Sequence, residues 1–259
     1  MAILRDMLNS MFVALAMYSK LPVPQVEWQK KNMAYALAFF PVVGVFCGGW
    51  LLLWRFLADY LALGNFMWAV GAMLGPLLIT GGIHLDGFCD VTDALSSWQT
   101  KERRLEILKD SHFGAFALIG CCCYLLVYLA VWTEIQPDYR ACLFIGLGYV
   151  LCRVLSGLSI ANLRCAKTSG LAATFAGNAD RRGVTIFLLV WLAGVIVGLF
   201  CLNRFWALCS LAVAAACFVY YRWLAYSHFG GINGDLAGWF LQILELAWLL
   251  LIFLLQRLA

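Results

Sequence analysis

Charge is what this sequence has least of. Asp, Glu, Lys and Arg make up 12% of its 259 residues, about half the share of an average soluble domain. With 64% of residues hydrophobic, a soluble globular domain is excluded. Several apolar runs reach the roughly 20 residues that carry a helix across a bilayer. They are continuous and lack the in–out alternation of outer-membrane strands, which excludes a membrane β-barrel. The first 20 residues are not expected to be a cleaved leader: their apolar stretch is interrupted and ends Ser-Lys-Leu-Pro, without a small-residue cleavage site. The 11 cysteines include no CxxC pair, and Cys121, Cys122 and Cys123 lie in an apolar run. They read as small lipid-facing or core residues, with no disulfide or zinc role. A net charge of +4 suits a chain beside anionic lipid and gives no sign of a nucleic-acid partner.

What is present is an all-α, polytopic transmembrane bundle forming one domain over residues 1–259. It has about six spans after an N-terminal interfacial or re-entrant helix. Residues 3–19 carry Arg5, Asp6, Asn9 and Ser10 in their first half, which suits an amphipathic helix at the membrane surface. Pro22 and Pro24 end it. Apolar stretches follow at about 33–57, 65–79, 113–133, 141–160, 184–202, 205–226 and 236–255. In the first, Gly44 and Gly48 form a small-xxx-small face for close helix packing. The polar segments 1–32, 84–112 and 162–183 carry four Lys or Arg each, whereas the opposite connections carry only Arg140 and Arg204. The positive-inside rule then puts the N-terminus, both polar segments and the loop before the last span on the cytoplasmic side.

Against this background one stretch stands out, Thr-Gly-Gly-Ile-His-Leu-Asp-Gly-Phe-Cys-Asp-Val-Thr-Asp at 80–93. Asp86, Asp90 and Asp93 are spaced i, i+4, i+7 and share one helical stripe. Three like charges on a stripe repel, and a hard divalent cation such as Mg²⁺, held through carboxylate oxygens, would neutralise them. The plain alternative is a solvated acidic helix start. Beside a membrane, where ionisable groups are functional by default, the metal site is favoured. The topology brings Asp110 and Asp235 to the same side, with Lys109, Arg164, Lys167, Arg181 and Arg182, so the site suits Mg²⁺ and a phosphorylated substrate. Asp110 and Ser111 read equally as N-caps of the next span. Gly230, Gly231 and Gly234 permit close backbone approach to a phosphate. His84 reads as a base, an orienting partner for a carboxylate, or a packing residue. Arg153, inside a span, requires a carboxylate or phosphate partner, and Glu245 is its complement in kind.

The ordered set of motifs resembles the adenosylcobinamide-GDP ribazoletransferases, also called cobalamin-5′-phosphate synthases. The resemblance runs nearly end to end. It begins with Lys-Leu-Pro-Val-Pro at 20–24 and Phe-Pro-Val-Val-Gly at 40–44, and is strongest over 80–93. It continues through Arg-Leu-Glu-Ile-Leu-Lys-Asp-Ser at 104–111 and Gly114, and closes with Gly-Gly-Ile-Asn-Gly-Asp at 230–235 and Glu245. Asn233 departs from the family's threonine and Ala94 from its glycine. The resemblance implies a multi-pass enzyme of the bacterial cytoplasmic (inner) membrane with its site facing the cytoplasm. It also implies Mg²⁺ as cofactor, adenosylcobinamide-GDP and α-ribazole or its 5′-phosphate as substrates, and GMP as product. On that reading Asp86, Asp90, Asp93 and Asp110 are the metal-ligand candidates. Asp93, Asp235 and His84 are the candidates to accept the proton of the attacking hydroxyl. Lys109, Ser111, Arg153 and the three glycines are the phosphate or substrate contacts. A homo-oligomer is left open. The competing classes are another aspartate-motif membrane transferase, CDP-alcohol phosphotransferase-like or prenyltransferase-like, and a transporter of cations or organic ions. A transporter should carry its carboxylates near the midplane, whereas these cluster at span ends.

Overall fold

The structure, a computed structural model, describes residues 2–110, 112, 114–166 and 171–258. Among these it is helical, with no strand beyond an isolated bridge between Cys165 and Ile232. The helices run in chain order as α1 (Ala2–Tyr18), α2 (Lys30–Met33), a 3₁₀ turn (Ala36–Phe39), α3 (Phe40–Tyr60), α4 (Asn65–Thr80) and α5 (Ile83–Ser96). They continue as α6 (Lys101–Ile107), α7 (Ala115–Glu134), α8 (Tyr139–Asn162), α9 (Leu171–Asn178), α10 (Arg181–Leu202), α11 (Arg204–Phe229) and α12 (Gly234–Leu258).

All seven apolar stretches of the sequence form helix. Six of the segments are long and apolar enough to cross a membrane: Lys30–Tyr60 and helices α7, α8, α10, α11 and α12. The remaining stretch, α4, is separated from α5 by a 91° bend, the geometry of a broken span or a re-entrant loop. The bend has a local cause. Gly81 and Gly82 both take left-handed backbone angles, φ +64° and +76°, which side-chain-bearing residues adopt only with strain. Pro76 removes the amide that would bond the carbonyl four residues back, at Ala72, and the Thr80 hydroxyl donates to the Pro76 carbonyl at 2.9 Å.

Helix α8 is the centre of the bundle, buried along nearly its whole length and packed against α3, α10 and α12. Its contact with α3 uses the glycine face read in the sequence. A Cβ on Gly44 would stand 2.7 Å from the Tyr149 carbonyl oxygen, and one on Gly48 would stand 3.0 Å from the Gly146 Cα. Where water is scarce and apolar burial offers little between helices, such close backbone contact supplies the packing energy. Over α4, Trp50 and Trp54 donate indole N–H bonds of 2.9 Å to the Gly71 and Trp68 carbonyls. Helix α1 packs on α2, the 3₁₀ turn and α3. The strand-like segment after it is fastened by the Lys20 amide, which donates to the Ile79 carbonyl at 2.7 Å. At the far end of the bundle, α7 and α12 finish together. Arg257 pairs with Glu134, and Gln256 and Gln136 exchange hydrogen bonds of 2.9 and 3.0 Å.

Candidate functional site

The acidic stripe lies on α5, which the glycine hinge redirects across the start of α12. At about 100° per residue, Asp86, Asp90 and Asp93 fall within roughly 60° of arc. His84, two residues before Asp86, falls about 200° away, on the opposite face. The carboxylates accordingly face the open side, with Asp86 exposed and Asp90 and Asp93 half-buried, while His84 faces the core. Its imidazole is 5% exposed, packed edge-on to Phe40 at 5.7 Å and near-parallel to Tyr18 at 6.5 Å between ring centroids. Of the readings open to His84, this geometry fits the packing one: the helix turns it inward, and its Nε2 is buried without a hydrogen-bond partner.

Asp235 opens α12 and meets this stripe. A Cβ on Gly87 would stand 2.8 Å from the Asp235 carbonyl oxygen, and one on Gly238 would stand 3.2 Å from that of His84. Two glycines, one on each helix, let the backbones touch and set Asp235 within electrostatic reach of Asp86 and Asp90. Their part in the site was readable in principle, since Gly234 and Gly238 repeat the small-xxx-small spacing already noted on α3. At the other end of the stripe, Asp93 lies on the N-terminus of α7, its Oδ1 2.0 Å from where a Gly114 Cβ would be. Gly114 is therefore the space in which Asp93 sits.

Among the described residues, Asp86, Asp90 and Asp93 receive no ion pair or hydrogen bond, and Asp235 receives only a 3.4 Å contact from the Asn233 amide. Four oxygen-only donors with uncompensated negative charge match a hard divalent cation in donor chemistry and in charge. Their side chains do not converge into a ready-made ligand shell: no three acidic, His or Cys side chains among the described residues are grouped closely enough to hold an ion as they stand. The cluster is a concentrated negative field, and a cation would draw its rotamers together.

The other expected residues are dispersed. Asp110 is exposed and accepts from the His112 amide at 3.0 Å and pairs with its Nδ1 at 2.6 Å. Those two contacts, the amide first, hold its carboxyl below the usual range. Lys109 is exposed beside it, and Ser111 lies outside the described residues, as does Lys167. Arg153 takes the structural pair with Glu245 that the sequence also allowed: it is 1% exposed and donates to Glu245 at 2.8 Å and to the Tyr149 carbonyl at 2.9 Å. Burying a guanidinium demands a charged partner, which Glu245 supplies, and burial keeps the guanidinium away from the open acidic face although its Nε has no partner. Gly231 is corrected. Its amide donates to the Ala225 carbonyl, and its missing side chain admits the backbone of 164–166, with the Arg164 carbonyl oxygen 2.6 Å from a Cβ position. Gly230 ends α11 in the left-handed conformation, φ +77°. Gly234 is exposed at the first turn of α12, with open space beside it.

Three cations toward this end hold neutral partners. Lys101 donates to the Tyr226 carbonyl, Arg164 to the Gly230 carbonyl, and Arg104 meets His228 Nδ1 at 2.8 Å. None of the three pairs with a carboxylate among the described residues. Their charge remains available to an anion.

Fold and site together define a multi-pass helical membrane protein with a carboxylate cluster on α5 and the start of α12 that has no ion-pair partner among the described residues. Its sequence matches the profile of the family described as cobalamin-5-phosphate synthase over residues 10–253, and the chain belongs to that family of enzymes. It is similar to a protein of Lachnoclostridium phytofermentans named adenosylcobinamide-GDP ribazoletransferase, 42% identical over 92% of this chain and 91% of that one. Proteins of the same name from Clostridium perfringens and Listeria monocytogenes are each 31% identical. They cover 93% and 89% of this chain, and 95% and 92% of their own lengths. No solved structure matches the chain.

Proposed function

We propose that the protein joins adenosylcobinamide-GDP to α-ribazole or α-ribazole 5′-phosphate in a Mg²⁺-dependent step, late in cobalamin assembly, and releases GMP. The observation that carries this reading is the meeting of Asp235 with Asp86 and Asp90 across the Gly87–Gly238 contact, in a chain whose relatives of that name align over about nine-tenths of its length.

In the reaction, a hydroxyl of the acceptor attacks the cobinamide-side phosphorus of the pyrophosphate. A new P–O bond forms, the P–O bond to GMP breaks, and GMP departs with the electron pair. Asp86 and Asp90 would hold the Mg²⁺, which when bound supplies charge neutralisation to the pyrophosphate. Asp235, on the opposing helix, is our assignment for the proton of the attacking hydroxyl. Arg164 and Lys101, at the rim with neutral partners, would bind phosphate oxygens of the nucleotide. Gly234, exposed at the N-terminus of α12, suits the same anion. The lysine and arginine distribution supports a cytoplasmic orientation of this end in a bacterial inner membrane.

The test is turnover by protein purified in detergent. With adenosylcobinamide-GDP, α-ribazole and Mg²⁺, GMP and the joined corrinoid should appear in equal amounts. Chelation should abolish both, and added Mg²⁺ should restore them. Production of neither by folded protein rejects the reading.

A further inference from the structure

A cavity of about 510 Å³ lies beside the acidic stripe, between the end of α1, the glycine hinge, α5 and α7. Its wall includes Met17, Leu85, Cys89 and Cys121, with Lys20 and Asp86 as its charged members. Its volume falls in the range of about 300–1,000 Å³ typical of pockets for a small organic ligand. A corrin bearing a nucleotide far exceeds that class; an aromatic nucleoside belongs to it.

We propose that this cavity is the acceptor subsite and that Lys20 selects the phosphorylated form of the acceptor. The proposal rests on the reaction given above and adds the place and the specificity determinant. Three sulfur-bearing side chains, Met17, Cys89 and Cys121, line the wall together with Ile83 and Leu85, beside the polar Ser19 and Thr80, and thioether and thiol groups make favourable contact with aromatic rings. That wall suits a flat heteroaromatic base. Asp86 borders both the cavity and the acidic cluster, so a nucleoside seated there presents its ribose hydroxyls toward the reacting end. Lys20 is fixed from two directions. Its amide is tied to the Ile79 carbonyl at 2.7 Å, and its aliphatic stem lies over Gly81, where a Cβ would be 2.5 Å from Cγ and Cε. Its ammonium has no carboxylate or hydrogen-bond partner among the described residues. A fixed, unpaired ammonium at the wall of a nucleoside-sized cavity is a monophosphate contact.

The experiment measures both binding and turnover. Equilibrium dialysis of α-ribazole and its 5′-phosphate against protein in detergent, without the corrin substrate, gives each Kd independently of catalysis. Lys20→Ala should weaken binding of the 5′-phosphate about tenfold or more and that of α-ribazole less than threefold, and Lys20→Arg should recover most of the loss. Cys121→Phe, which fills the cavity, should weaken both acceptors alike. In turnover, both variants should raise KM for their acceptors and leave KM for adenosylcobinamide-GDP unchanged. Equal effects of Lys20→Ala on the two acceptors overturn the proposal, as do unchanged acceptor constants in Cys121→Phe. So does displacement of bound acceptor by phosphatidylglycerol, which would give the cavity to lipid. Acceptor binding that depends on Lys20 in a protein that produces no GMP would reject the reaction and keep the subsite. GMP production with no effect of Lys20→Ala on either acceptor would do the reverse.

Discussion

Gly87 on α5 and Asp235 on α12 touch backbone to backbone, 2.8 Å separating a Cβ position on the first from the carbonyl oxygen of the second. Any side chain at 87 must push α12 outward and carry the Asp235 carboxylate with it. Gly87→Ala should therefore lower turnover about 10²-fold, the scale of a catalytic group displaced by an ångström. Membrane insertion and yield should be near normal. Turnover within twofold of wild type would show that the contact does not position the site.

Asp86→Ala and Asp90→Ala should each reduce the rate at least about 10²-fold, as expected for loss of a metal ligand or general base, in protein that still inserts. Asp235→Asn separates a catalytic role from a capping one. Asn233 already caps α12 by accepting from the Leu236 amide at 2.8 Å, so the amide variant should leave thermal stability within about 1 kcal/mol while lowering the rate by the same 10² or more. Near-normal turnover in Asp235→Asn would remove this residue from the chemistry.

The Arg153–Glu245 pair should behave as structure. With side chains 1% and 5% exposed, removing either partner leaves a buried charge unmatched, and Arg153→Met or Glu245→Gln should each destabilise by about 3–5 kcal/mol. The double variant Arg153→Met/Glu245→Leu should recover most of that loss in thermal unfolding. A rate loss that persists in a double variant of restored stability would return Arg153 to the substrate.

The orientation of the acidic end is open to labelling. Gln99 is exposed between α5 and α6. A Gln99→Cys variant in a cysteine-depleted background should react with an impermeant maleimide in inside-out vesicles and not in intact cells. Labelling from outside alone would invert the topology.

The helices and their apolar stretches were legible because membrane spans write themselves in long runs that need no partner to be recognised. The stripe Asp86–Asp90–Asp93 was legible because its spacing is a property of one helix. Asp235 was reachable only through the order of crossings, which brought it to the right end of the bundle; the contact that seats it depends on Gly87 and Gly238, whose roles exist only between two helices. His84 lies close to Asp86 in sequence, yet two residues along a helix is nearly a half-turn of direction, so the choice among its readings waited on which face the core took. Arg153 and the glycines at 230 and 231 were chemically suited to phosphate, but the fold had already engaged them, with a buried carboxylate and with the backbone of 164–166. Lys20 sat in a recognised motif without a task, because its neighbour Gly81 lies some 60 residues on.

The joined ends of α7 and α12, where Arg257 meets Glu134, mark the end of the bundle remote from the carboxylates. Helix α12 starts at the acidic cluster and runs 25 residues away from it, about 37 Å at 1.5 Å per residue. A fluorescent or enzymatic reporter appended after α12 thus reads the compartment opposite to the one the carboxylates face, and a fusion there would leave the route by which a bulky corrinoid reaches the site unobstructed.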